Sequence, residues 1–303
     1  MNMHDITTYI GYQVEEVVAE LTEACKFFGV KQGRAIIILK LLQSFKSEKT
    51  HSEQQSLAYF EALGLNSLYR LWRKHASQCL ELRNRLCCIF EEASPLSKDE
   101  LDRGKIYKAR SDTFVFTLAG RLMWGGIEVI SVEEFQYHAD GHFEQTENKQ
   151  EQPDIRFLWY QQSVVVEGKR VRSPLQIEKR VKDAIDQIET KQQYGVVAID
   201  YPPLLQLEQP IIERQLSEMP DGLAVNRLET ELWIQKIRSL ALQSDWVVGV
   251  IICTAYPVRT HVSLDFTRQD GQWSVVVIAR EGIKGSEMLM RDIQFALVST
   301  TFH

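Results

Sequence analysis

Long apolar runs are missing from this 303-residue chain. No stretch of roughly 18 to 20 apolar residues occurs, so no transmembrane helix is expected. The opening Met1 to Ile6 has no basic segment followed by an apolar one, and no secretory signal is expected. Cysteine is scarce, and the five (Cys25, Cys79, Cys87, Cys88, Cys253) include no Cys-x-x-Cys pair. That pattern fits reduced thiols in the cytoplasm better than a disulfide framework or a cysteine zinc site. No Gly-x-x-x-x-Gly-Lys-Ser/Thr loop is present, which argues against ATP-driven movement, and no Gly-x-Ser-x-Gly elbow argues for a hydrolase triad. Basic charge is not in excess either. The net charge is −6, so any nucleic-acid contact must come from a local patch.

What remains is an ordinary soluble composition, 44% apolar and 25% charged, with length for one large or two ordinary domains. The first hundred residues read as helical throughout. Tyr12 to Phe28 carries Val14, Val17, Val18, Leu21, Ala24, Cys25 and Phe28 near helical spacing, with Gly29 as a stop. Gly33 to Phe45, Ser52 to Gly64 and Leu68 to Phe90 read as further helices. Within the last, Tyr69-Arg70-Leu71-Trp72-Arg73-Lys74-His75 mixes bases with aromatics, either a solvated helix face or a nucleic-acid surface. Ser97-x-x-Glu100 forms a capping box after a break at Pro95. The chain is therefore expected to divide into a helical region, residues 1–105, and a mixed domain, residues 106–303. In the latter, Asp112 to Trp124 reads as a helix stopped by Gly125-Gly126, and Ile127 to Val132 alternates like a strand. Residues 138–152 read as a loop or ragged hairpin. His138 and His142 are four apart there, but the intervening Asp140-Gly141 argues against a metal-binding helix.

The most informative stretch runs from Pro153 to Arg170. Ile155 to Trp159 and Val164 to Val166 read as two strands around the polar break Tyr160-Gln161-Gln162-Ser163. Alternation sends Glu167 and Lys169 to one face and Gly168 to the other. A hairpin would bring Asp154 beside Glu167. Two carboxylates and an ammonium at an apolar sheet end are either a solvated salt bridge or a site for a hard divalent cation such as Mg²⁺. In the second case Lys169 would orient the attacking water.

Ser173, Pro174 and Gln176 make a helix start, and Ile177, Val181, Ala184, Ile185 and Ile188 form a buried stripe running toward Gln192. Arg180 and Gln187 lie along one flank. Lys169, Arg170, Arg172, Lys179, Arg180 and Lys182 crowd this region, the strongest basic patch in the chain and a place for a phosphodiester backbone. Tyr194 to Asp200 then reads as a central strand, parallel to the one before the helix. Later come a helix from Asn226 to Ser244, an apolar strand from Trp246 to Ala255, a hairpin about Asp270-Gly271 and a helix from Gly285 to Leu297. His261 reads as a surface strand residue.

This order of elements, with Pro153-Asp154 and Glu167-Gly168-Lys169 on successive strands, resembles the core of the PD-(D/E)XK nuclease superfamily over residues 110–201. The resemblance implies an α/β fold, a restriction-endonuclease-like mixed central sheet flanked by helices, which here follows the all-helical region read from residue spacing. It implies a metal-dependent endonuclease acting on DNA, in phage defence, restriction or a mobile element. Asp154, Glu167 and the Gly168 carbonyl would hold Mg²⁺, with Mn²⁺ able to substitute. Lys169 would orient water, and Gln187 and Arg180 would position the site or bind phosphate. Many members carry a glutamate in the preceding helix, where this chain reads Thr113-Phe-Val-Phe-Thr-Leu-Ala119. Asp112 or Glu128 stands as the substitute. That departure leaves an alternative, a catalytically weak or inactive member serving as a nucleic-acid-binding or assembly module. The helical region offers a surface for a second copy or a protein partner.

Overall fold

The apolar run Gly195–Asp200, which carries no polar alternation, lies inside a mixed sheet in the computed structural model of the chain. The structure describes residues 6–10, 14–44, 53–92, 108–146, 152–171, 176–200, 212–215, 235–241, 243–263 and 266–298. Strand β1 (Ile6–Ile10) comes first, then helices α1 (Val14–Phe28), α2 (Arg34–Gln43), α3 (Glu53–Ala76), α4 (Leu80–Glu91) and α5 (Lys108–Trp124). Strands β2 (Glu128–Val132), β3 (Phe135–Tyr137), β4 (Phe143–Gln145), β5 (Ile155–Trp159) and β6 (Gln162–Arg170) follow. Helix α6 (Ile177–Lys191) leads to β7 (Gly195–Asp200) and β8 (Ile212–Gln215). Helical residues 235–241 (α7), long strands β9 (Val247–Ser263) and β10 (Phe266–Ala279), and helix α8 (Ser286–Val298) complete the described chain.

The sheet runs β1-β10-β9-β7-β6-β5-β2-β3-β4, with β8 paired to the far half of β9. Strands β6, β7 and β9 are parallel neighbours, whereas β2, β5 and β6 pair antiparallel. The chain is thus α/β with a mixed sheet, and helices α1 to α4 precede most of it. Side-chain alternation separates the two faces. Val164, Val166, Val196 and Ala198 share a core with α5 and the helical bundle. Val165, Val197 and Ile199 pack instead with Ile177, Val181, Ala184 and Ile188 of α6. The bundle is keyed to the sheet by Trp72 of α3, fully buried, whose indole N–H donates to the Phe116 carbonyl of α5 at 2.8 Å. Trp72 also meets the rings of Phe116 and Phe143 at 5.3 and 5.4 Å. At the other end of α5, a Cβ at Gly125 would lie 2.4 Å from Ala296, so only glycine lets α8 approach there.

Four expectations are corrected. Residues 6–10 are not helical but form β1, whose backbone pairs with Ile10↔Gly271 to Ile6↔Val275 on β10. Gly64 does not end a helix: α3 continues to Ala76, because a lone glycine costs only about 1 kcal/mol, which tertiary packing offsets. The break falls at 77–79, where the Cys79 sulfur accepts the Leu82 N–H and caps α4. The Tyr160 to Ser163 break shrinks to a two-residue turn at Tyr160 and Gln161, with φ of 45° and 65°. Asp270-Gly271 is no turn but mid-strand, opposite Val258 and Pro257, since β9 and β10 are long enough to carry the hairpin beyond it. His261 pairs with Thr267 and with Gln215 of β8. The capping box at Ser97, the helix start at Ser173-Pro174 and Arg172 lie outside the described residues, as does the first part of the Asn226 helix.

Candidate active site

The β5–β6 register places Ile155 opposite Val166, so Asp154, just before β5, falls beside Glu167. The Gly168 N–H donates to Asp154 Oδ2 at 2.6 Å. A side chain at position 168 would meet Phe114 and Val115 of α5 at 3.3 Å and Asp154 Oδ2 at 3.4 Å. Glycine here lets α5 and the Asp154 carboxyl close on the same point of the strand. Lys169 Nζ lies 3.4 Å from Glu167 Oε2 and 3.9 Å from Asp154 Oδ2, bridging the two carboxyls. Glu167 is buried among the apolar residues that pack α6 onto the sheet. Its other oxygen, Oε1, accepts from Lys191 Nζ of α6 at 2.6 Å. A buried carboxylate survives there because two ammonium groups compensate the desolvation.

Asp154 is less well served. Its carboxyl is pushed up to about 7, first by desolvation, then by the Glu167 charge, against the pull of Lys169. Glu133 adds to the rise, and the Gly168 N–H opposes it. Glu133 sits in the β2–β3 turn at φ 50°, and its N–H donates to the Asp154 carbonyl at 2.8 Å. It is the third carboxylate near this site, a place the sequence had offered to Asp112 or Glu128. Asp112 instead forms a buried ion pair with Arg85 of α4, at 2.9 Å. Glu128 is exposed opposite Leu158, at the end of β5 remote from Asp154. Lys191 lies one turn beyond Gln187 on the same helix, a spacing visible in the sequence. Nothing local marks Glu133, which reaches Asp154 only through the β2–β5 pairing.

The other candidates are dispersed. Gln187 is exposed on α6, and no hydrogen bond joins it to the carboxylates. Arg170 pairs with Asp200 of β7 at 3.4 Å. Arg180 pairs with Asp183 at 3.5 Å, and Lys182 with Glu178 at 3.0 Å. Lys179 is exposed. The basic patch is therefore partly neutralised by its own acids. The base–aromatic run on α3 builds the bundle: Trp72 and Tyr69 are buried, and Arg70 is paired with Glu20 of α1.

As a donor set, Asp154, Glu167 and the Gly168 carbonyl fit a hard divalent cation, which accepts one or two carboxylates, carbonyls and waters. A cation there would offset the desolvation and the Glu167 charge that together raise the Asp154 carboxyl. Among the described residues, the three-residue group whose donor atoms all lie within 4.8 Å is elsewhere, at His138, His142 and Glu144. No helix among the described residues is long and apolar enough to cross a membrane. Comparisons with protein-family models, curated proteins and solved structures find no match.

Proposed function

We propose that the chain is a Mg²⁺-dependent nuclease with a restriction-endonuclease-like core, hydrolysing phosphodiester bonds of nucleic acid, with DNA as the expected substrate. One observation carries the reading: Asp154, Glu167 and Lys169 converge on adjacent antiparallel strands, at the entry to the parallel β6–α6–β7 crossover. Asp154, Glu167 and the Gly168 carbonyl would hold the ion. A bound ion would supply Lewis acidity to a water and offset charge on the phosphate. Lys169 holds that water and steadies charge developing on phosphorus. Lys191 fixes the Glu167 carboxylate, and the Gly168 N–H fixes that of Asp154. Lys179 and the flank of α6 supply phosphate contacts. Asp154→Ala and Lys169→Ala are each expected to abolish Mg²⁺- or Mn²⁺-dependent cleavage while the fold is retained. Cleavage by both variants at the wild-type rate would sink the reading.

A second reading has its own observation. Both oxygens of Glu167 are held by lysines, and three of the flanking basic residues are ion-paired within the chain. That state suits a nucleic-acid-binding or assembly module without catalysis. Calorimetry separates the two: nucleic-acid binding without measurable Mn²⁺ affinity favours the module.

A further inference from the structure

We propose that the β3–β4 hairpin carries a Zn²⁺ site formed by His138, His142 and Glu144, separate from the Asp154 cluster. Cross-strand pairing sets Gln136 opposite Glu144 and Tyr137 opposite Phe143. The next step joins the His138 N–H to the His142 carbonyl at 2.9 Å. Strand alternation then puts His138, His142 and Glu144 on one face, while Phe135 and Phe143 are buried on the other. The three donor atoms lie within 4.8 Å of one another. His138 Nε2 is 3.1 Å from Glu144 Oε2, and the imidazoles stack at 5.0 Å with planes 14° apart. Tetrahedral zinc with donors about 2.0–2.2 Å from the metal needs them roughly 3.4 Å apart. The half-buried His138 and His142 and the exposed Glu144 reach that spacing by small rotations.

The surroundings prepare the ligands. Asp140 Oδ1 is 2.5 Å from His142 Nδ1, which fixes the ring and leaves Nε2 for the metal. Gly141, at φ 93°, closes the turn by donating to the His138 carbonyl at 2.9 Å. Below the hairpin, His75 of α3 packs on Tyr137 and Phe143 at 5.7 and 5.3 Å and touches the Gly141 backbone. The site thus rests on helix α3. Two imidazole nitrogens and one carboxylate oxygen select Zn²⁺ over Mg²⁺ and leave the fourth position to water. Strand β4 is the last in the sheet, so the ion pins an edge hairpin.

The test uses the untagged full chain, stripped of metal and then titrated with ZnCl₂ by calorimetry, with MgCl₂ as control. One equivalent of Zn²⁺ is expected to bind the wild type and Asp154→Ala alike. His142→Ala and Glu144→Gln should lose that binding while keeping the wild-type circular dichroism, and Asp140→Ala should weaken it about tenfold or more. Co²⁺ in place of zinc should give visible bands without a thiolate charge-transfer band. Wild-type protein that binds no Zn²⁺ at micromolar concentration overturns the proposal. Zinc binding that survives in His142→Ala but vanishes in Cys88→Ser also overturns it.

Discussion

Replacing Asp154 by Asn is expected to stabilise the metal-free protein at neutral pH. In the fold this carboxyl is raised from 3.8 to about 7, mainly by desolvation and then by Glu167. A raised carboxyl binds its proton more tightly in the folded than in the unfolded chain. Its burial therefore costs nothing below about pH 4, costs progressively more between pH 4 and 7, and reaches the full penalty above pH 7. A shift of this size corresponds to about 4 kcal/mol. That figure already includes the pull of Lys169, and the side chain is 23% exposed, so solvent screening reduces it. A net gain of about 2 kcal/mol at pH 8 is the reasonable figure. The Asn carbonyl can still accept the Gly168 N–H, so the local geometry is kept. Urea denaturation in EDTA at pH 5 and pH 8 measures it. Wild-type stability should fall between those pH values by more than that of Asp154→Asn, and 10 mM Mg²⁺ should restore the wild type but not the variant. An Asp154→Asn variant no more stable than wild type at pH 8, or one pH dependence shared by both proteins, would refute this cost.

Three further outcomes probe the supports of the site. Lys191→Ala leaves Glu167 buried with Lys169 alone and should cost about 2 kcal/mol in EDTA, part of it recovered with Mn²⁺ in a thermal-shift series. Trp72→Phe removes the indole donor from the buried Phe116 carbonyl and should cost about 2–3 kcal/mol by chemical denaturation; a loss below 0.5 kcal/mol would show that the bundle is not keyed to the sheet there. Gly195→Ala puts a methyl 2.8 Å from Ile188 of α6 and should destabilise by about 1–3 kcal/mol, with α6 amides exchanging faster with solvent.

The parts of the fold that the sequence disclosed are those governed by local chemistry. The stripe from Ile177 to Ile188 is the buried face of α6, and the unbroken apolar run at Gly195 is an interior parallel strand. Pairing of Ile155 with Val166 follows from hairpin alternation once the turn is placed, which is why Asp154, Glu167 and Lys169 were visible as a group. What stayed hidden depends on distant partners. Strand β1 carries a β-branched and aromatic run, Ile6-Thr7-Thr8-Tyr9-Ile10, but its partner β10 lies more than 250 residues away. The turn composition of Asp270-Gly271 was overridden by the length of the β9–β10 ladder. Glu133 joins the site through the β2–β5 pairing, and Lys191 through the packing of α6. Residues 138–152 read as a loop or ragged hairpin, but the register that stacks His138 on His142 across the turn is set by the β3–β4 pairing and is not legible locally.

The claim that Asp154, Glu167 and Lys169 form a metal-dependent phosphodiesterase site is tested most directly by single-turnover cleavage. Plasmid, single-stranded DNA and RNA are each incubated with excess wild-type protein in Mg²⁺, in Mn²⁺ and in EDTA, beside Lys169→Ala. Metal-dependent cleavage of at least one substrate by the wild type is expected, lost in EDTA and reduced at least about 100-fold in Lys169→Ala. No cleavage by the wild type under either metal, or equal cleavage by wild type and Lys169→Ala, would contradict it.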